Sequence, residues 1–444
     1  MTTPIVILHG WSDDKESFRN LAHKLQGKLE RPITDLWLGD YISLDDDVNV
    51  DDIIDAMQRA WLDAKLPTAD VIIHSTGGLV IRHWMQKYYV SKNSKPPIRN
   101  LVMLAPANFG SPLAHTGRTI LGRIFKGDRE GGKPFQTGTH VLKSLEMASP
   151  YTWRLAEMDR FAPNAFSKFG VRCTVIVGNH GYKGLRSLAN KDGSDGTVYV
   201  ATANLNCARL PLRVKRQNGE FEVGKIEEAR GETAFLVLDG FDHGSVTGNK
   251  SCPAKLLNPI VEALTVTQNN FPGWKRKCAT ATARVTKKYS GEADSDRHAF
   301  QNLVVHVIDD QGNEVDDYVI EFYGDFLEEE DELADVFNQK VVRGVHAYKD
   351  NASYRSFMID SSVLFRYIDS SRETLSISLS ALPDINQERT LAGYRTFEDD
   401  DIGALKIPYQ ELKKYFSPHR TLFVEITLPR YQKPEVFSLE NLQN

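Results

Sequence analysis

The segment Val71-Ile72-Ile73-His74-Ser75-Thr76-Gly77-Gly78 runs an apolar, β-branched stretch into a serine and then into two glycines that open a helical pattern. A serine at such a strand-turn-helix junction sits on a tight, strained turn that lifts its hydroxyl above the edge of a sheet, and small residues follow because the turn has no room for Cβ atoms. A hydroxyl that attacks a carbonyl needs a base to take its proton and a carboxylate to orient that base. Two later loops supply these residue types. Asp192-Gly193-Ser194-Asp195-Gly196-Thr197-Val198 offers two aspartates after the strand-like run Val171–Val177, and Asp239-Gly240-Phe241-Asp242-His243-Gly244-Ser245-Val246 offers a histidine after Phe235–Leu238. The corresponding chemistry is acyl transfer, in which negative charge develops on the carbonyl oxygen and two fixed N–H donors must meet it.

These motifs together resemble the α/β-hydrolase family, and within it the lipases and esterases. His74-Ser75-Thr76-Gly77-Gly78 is similar to their His-Ser-x-Gly-Gly elbow, Ser194-Asp195-Gly196-Thr197-Val198 to the loop that carries the acid, and Asp242-His243-Gly244-Ser245 to the loop that carries the histidine. Ala105-Pro106-Ala107-Asn108-Phe109-Gly110-Ser111-Pro112 looks like a further turn of these enzymes, and Leu145–Trp153 like the helical segment beside their acyl pockets. The resemblance spans about residues 4–265 and implies Ser75 as nucleophile, Asp195 as acid with Asp192 in reserve, and His243 as base. It also implies an oxyanion hole built from the backbone N–H groups of Trp11, in His9-Gly10-Trp11, and Thr76. One position departs from the pattern: Ile73 stands where the family's elbow has a small residue. The reaction requires no metal and no cofactor, and no histidine pair is spaced with a neighbouring cysteine or carboxylate in a way that recommends zinc. His74 points to the opposite side of its strand from Ser75 and reads as a packed, hydrogen-bonded residue rather than a base. His180, following a strand, is a candidate for lining the pocket.

The elements that must hold these loops follow from hydrophobic periodicity. Continuous apolar runs at Pro4–Gly10, Ile33–Leu38, Ala69–Ile73, Arg99–Ala105 and Val171–Val177 predict buried strands. Amphipathic stretches between them, Ser12 to about Gly27, Val50–Leu66 and Gly78–Tyr89, predict helices, with Ile53, Ile54, Met57, Trp61 and Leu62 near one face of the second. This alternation predicts a doubly wound, mostly parallel sheet covered on both faces. Residues 113–165 read as a helical lid insertion and about 197–235 as a β-hairpin insertion, turning at Gln217-Asn218-Gly219. After Pro272-Gly273 the pattern changes to short strands around a turn at Asp309–Asn313, which suggests an antiparallel, sandwich-like domain. The expected division is a catalytic domain at 1–272 and a β-rich accessory domain at 276–444.

Charge agrees with two unlike halves. The 444 residues carry 54 Lys+Arg and 59 Asp+Glu, but residues 276–444 alone carry 20 and 30, leaving net +5 on residues 1–275. Neither half has the dense basic patch of a nucleic-acid binder. No run approaches a spanning helix, and Met1-Thr2-Thr3-Pro4 lacks a basic n-region. Four cysteines at this spacing read as reduced thiols of a protein made in the cytoplasm, with signal-independent export such as type VI secretion compatible. The expected substrate is a carboxylic ester with a lipid-like acyl chain, reached through transient contact with a membrane or micelle; the basic first half suits anionic phospholipids. The alternatives are a small-ester carboxylesterase whose C-terminal domain binds a lipid or protein partner, and a non-catalytic binding protein of the same fold.

Overall fold

The computed structural model describes residues 3–8, 17–36, 48–114, 139–184, 187, 190–324, 332–371, 374–382, 392–394, 396–397, 401–432, 436–437 and 439. The chain forms two compact units: one of 1–207, 228–300 and 418–421, the other of 208–227, 301–417 and 422–444.

The first unit is built on a six-stranded sheet. Strands β1 (Ile5–Leu8), β2 (Ile33–Leu36), β3 (Ala69–His74), β4 (Ile98–Leu104) and β5 (Arg172–Gly178) lie in the order β2-β1-β3-β4-β5, and Ala234–Leu238 closes the far edge. All five pairings are parallel, with Leu8 opposite Ile73 and His74 opposite Leu104. Parallel strands covered on both faces must be apolar throughout, and β1, β3 and Ala234–Leu238 are buried at every position.

Helix α1 (Arg19–Leu29) buries Leu21 and Leu25, and α2 (Val50–Asp63) buries Ile53, Ile54, Met57 and Trp61. Leu62, expected near that face, is instead 59% exposed, because it lies one residue, about 100°, beyond Trp61. A capping box starts α2: the Asn49 side chain accepts from the Asp52 N–H and the Asp52 carboxylate accepts from the Asn49 N–H. Helix α3 (Gly77–Tyr88) follows β3 directly.

The segment read as an interdomain break is a helix, Phe271–Ser290, lying wholly in the first unit. Pro272 falls in its first turn, where a missing N–H costs nothing. Its Trp274 Nε1–H donates to Thr174 Oγ1 at 2.9 Å, and Thr282 Oγ1 accepts from Val237 N–H and donates to the Phe235 carbonyl. The helix thus satisfies one N–H and one carbonyl of the edge strand Ala234–Leu238 through a single hydroxyl.

The second unit carries a sheet ordered Val342–Ala347, Tyr354–Asp360, Phe300–Asp309, Arg420–Leu428, Ala208–Val214 and Phe221–Val223, and a three-stranded antiparallel sheet of Tyr318–Tyr323, Leu375–Ala381 and Leu405–Ile407. Side chains from both sheets, among them Leu210, Val305, Ile359, Leu379 and Val424, share one apolar core. This is the β-rich C-terminal region, with one difference from a purely antiparallel arrangement. Ala208–Val214, expected as an insertion in the catalytic domain, pairs in parallel with Arg420–Leu428. Such pairing across two hundred residues leaves no local trace in the sequence.

Candidate active site

Ser75 is the first residue after β3 and has φ +53°, a left-handed conformation that a non-glycine residue adopts at a cost. The turn closes through the Gly78 N–H donating to the Ser75 carbonyl at 3.1 Å, and the Ala107 N–H donates to the same oxygen. A Cβ at Gly78 would fall 2.8 Å from Pro106 Cβ and 2.9 Å from Asn108 Oδ1, so the first turn of α3 accepts no side chain there. Ile73 fits because the residue facing it is glycine: a Cβ at Gly77 would lie 3.3 Å from Ile73 Cβ. Thr76 is the N-cap of α3, which puts its backbone at the positive end of a helix. His9, Gly10 and Trp11 lie outside the described residues.

The structure brings Ser75, His243 and Asp195 into one hydrogen-bonded chain, all three buried. His243 Nε2 lies 3.1 Å from Ser75 Oγ, and His243 Nδ1 lies 2.9 Å from Asp195 Oδ2. Because an aspartate only accepts, Nδ1 carries the proton and Nε2 presents its lone pair to the serine hydroxyl. The other oxygen of Asp195 accepts from the N–H groups of Thr197 (3.0 Å) and Val198 (2.8 Å), which fixes the carboxylate, and the His243 N–H donates to the Asp195 carbonyl at 2.9 Å. Asp192, the reserve acid, is not the partner of His243.

Backbone sterics place the loops. Gly196 has φ +95°, and a Cβ there would fall 2.7 Å from the Tyr182 ring. At the end of β5 a Cβ on Gly178 would lie 2.0 Å from the Phe241 carbonyl oxygen, so the loop carrying His243 rests directly on that glycine. His180 N–H donates to the same carbonyl, while its Nδ1 accepts from Arg297 at 2.7 Å. His74 Nε2–H donates to the His243 carbonyl, as a packed residue should.

Sequence reasoning missed the braces beneath the site. Arg82, buried within α3, forms two hydrogen bonds to Asp159 (2.7 and 2.8 Å) and a third to the Asn108 carbonyl (2.7 Å). Ser111 Oγ donates to the Thr197 carbonyl, and Asn108 Nδ2 to the Ala203 carbonyl, tying the turn after β4 to the acid loop and the segment beyond it. The available signal was a lone arginine in an apolar helix, since a buried cation requires a partner. Of the large apolar residues in the segment read as a lid insertion, Leu113, Met147, Trp153 and Leu155 are buried, while Ile120, Leu121, Ile124, Phe125 and Phe135 lie outside the described residues.

No family model and no curated protein matches the chain. It is similar to a solved structure of phospholipase PlaB from Legionella pneumophila, with 25% identity, TM-score 0.82, and coverage of 100% of this chain and 97% of that one. A second structure of the same phospholipase, in complex with thio-NAD, gives 24% identity and TM-score 0.80 over the same shares. Among the described residues no helix is long and apolar enough to cross a membrane. With a parallel sheet, a strained serine turn at its C-terminal edge and a structural match along the whole chain in agreement, this protein has the α/β-hydrolase fold of serine lipases and esterases.

Proposed function

We propose that the protein is a serine hydrolase of carboxylic esters with lipid-like acyl chains, phospholipids among them. The observation that carries this reading is the Ser75–His243–Asp195 hydrogen-bond chain, with the serine hydroxyl held on a left-handed turn at the start of a helix. His243 Nε2 takes the Ser75 proton as Oγ attacks the ester carbonyl, and Asp195 stabilises the imidazolium that results. The backbone N–H groups of Thr76 and Trp11 bind the oxyanion. The alkoxide leaves with the proton from His243, and water repeats the sequence on the acyl-enzyme.

The lipid part is supported by the likeness, across the whole chain, to a protein described as a phospholipase. The first unit is the catalytic domain and the second, which holds none of these residues, an accessory domain.

The test is hydrolysis of p-nitrophenyl esters from acetyl to palmitoyl, with phospholipid vesicles alongside, by the parent and by Ser75→Ala. We expect Ser75→Ala to lose on the order of a thousandfold or more in kcat, and the parental rate to rise toward long chains. Equal rates would remove Ser75 from the mechanism. A profile that peaks at acetyl and falls thereafter would make the protein a small-ester carboxylesterase.

A further inference from the structure

The loops that carry Asp195 and His243 follow different strands, β5 and Ala234–Leu238, and one short segment, 291–300, hydrogen-bonds to both. It continues from the helix Phe271–Ser290, lies wholly in the first unit, and closes on itself where His298 Nε2–H donates to the Glu292 carbonyl. On the acid side, the Asp296 carbonyl accepts from the N–H of Gly193, two residues before Asp195, at 2.7 Å. Gly193 has φ +73°, and a Cβ there would fall 2.2 Å from the Phe300 ring, so the end of the segment also packs on bare main chain.

The next residue turns to the base side. Arg297 donates from Nη2 to His180 Nδ1 at 2.7 Å and from Nη1 to Tyr289 Oη at 2.6 Å. A guanidinium has only donors, so Nδ1 is the acceptor and the His180 ring carries its proton on Nε2. His180 in turn holds the Phe241 carbonyl through its N–H, and the Tyr289 hydroxyl donates to Asp239 Oδ1 at 2.6 Å. Phe241 and Asp239 stand two and four residues before His243. Asp239 also accepts from Lys288 at 2.8 Å and from Asn179, whose amide oxygen receives the Gly240 N–H at 2.9 Å. Burial alone would raise this carboxyl, but the hydrogen bonds from Lys288, Tyr289 and Asn179 outweigh it and hold it at about 2, so it stays a fixed anion for the donors around it. Side chains that merely ended the helix would donate to its last carbonyls. The partners of Arg297 lead instead to the loop of His243.

We propose that Arg297 is a positioning residue for ester cleavage, which together with the Asp296 carbonyl sets the loop of His243 against the loop of Asp195. The alignment of His243 Nδ1 on the carboxylate and of Nε2 on Ser75 follows from that placement. A planar fork suits the task because it spans His180 and Tyr289 at once, which a lysine ammonium does not.

This role rests on the ester-cleavage reading, and it is measured in two ways, one of which needs no turnover. In Arg297→Ala we expect kcat to fall about tenfold or more with KM within about twofold, because alignment of the reacting groups is lost rather than substrate binding. The Arg297 side chain is 23% exposed, so guanidinium ion has a way in and should restore much of the rate at millimolar concentration, whereas ammonium should not. The second readout is the downfield proton resonance of His243 Nδ1–H, assigned by its loss in His243→Gln. Arg297→Ala should shift or broaden it, and guanidinium should return it. Tyr289→Phe removes only the hydroxyl between Arg297 and Asp239, and should change both readouts in the same direction by a smaller amount. A parental kcat with an unmoved resonance in Arg297→Ala, or in Tyr289→Phe if Arg297→Ala does not fold, overturns the assignment. A loss that guanidinium leaves untouched also overturns it, since lost packing alone would then account for the effect. A parent that cleaves no ester but whose resonance moves with Arg297 strikes the proposed reaction and leaves the positioning role standing.

Discussion

His74 donates from Nε2 to the main-chain carbonyl of His243 at 3.1 Å, and the two rings stand 4.6 Å apart between centroids. The residue just before the proposed nucleophile therefore holds the backbone of the proposed base, from a strand 169 positions away. Removing the donor leaves a buried carbonyl unpaired, which costs about 1–3 kcal/mol, and loosens the Nε2–Oγ alignment. We expect His74→Ala to lower kcat about tenfold with little change in KM, and His74→Gln, which keeps an N–H donor, to recover part of it. A parental kcat in His74→Ala would show that the contact positions nothing.

Gly178 and Gly77 make opposite predictions. At Gly178 the obstacle to a Cβ is main chain, the Phe241 carbonyl oxygen at 2.0 Å, so alanine displaces the loop that carries His243. At Gly77 the nearest atom is Ile73 Cβ at 3.3 Å, a contact that a few tenths of an ångström relieve. A displacement of about 1 Å at a reacting group can cost on the order of 100-fold in rate. Gly178→Ala is therefore expected to lose about 100-fold in kcat/KM, and Gly77→Ala less than about tenfold. Similar losses in steady-state assays of the two variants would refute this account of the loop.

Glycines also explain what could be read in advance. Gly78 and Gly196 accompany Ser75 and Asp195 because a Cβ at either would collide with its neighbours, so the loops carry local signatures, and β1, β3 and β4 show as apolar runs because a parallel sheet is buried on both faces. The apolar helix around Arg82 signals that the arginine needs a partner, but nothing local names Asp159, 77 positions on, or announces the parallel pairing of Ala208–Val214 with Arg420–Leu428. Pro272-Gly273 misled in the other direction. Read as a break, it is the first turn of a helix, where proline is favoured and the inward Trp274, Cys278 and Thr282 supply the periodicity that outweighs one glycine.

The Arg82–Asp159 pair lends itself to a double-mutant cycle. Both side chains are buried, so removing one charge strands the other, at about 3–5 kcal/mol. We expect Asp159→Asn to be destabilised by that order in urea unfolding. Arg82→Met combined with Asp159→Leu should recover much of the loss, because the stranded charge is gone, although the hydrogen bond to the Asn108 carbonyl is still missing. A double variant as unstable as the sum of its singles would mean that the two residues act independently.

His419 gives stability a pH dependence that can be assigned to one group. Its imidazole titrates near 4 in the fold, against an ordinary 6.5, because burial penalises the charged form. As pH falls below 6.5 the unfolded chain takes up the proton first, so His419 favours unfolding progressively until the folded state also protonates near 4. Its contribution is therefore intact above 6.5, declines between 6.5 and about 4, and levels below. His419→Gln has no proton to bind in either state, so the stability difference between parent and variant should shift against the parent across that window and stay constant from pH 7 to 8. Denaturant titrations at half-unit intervals measure this directly, and a difference that is flat from pH 7 to 4 would mean that the His419 ring is not held neutral by burial.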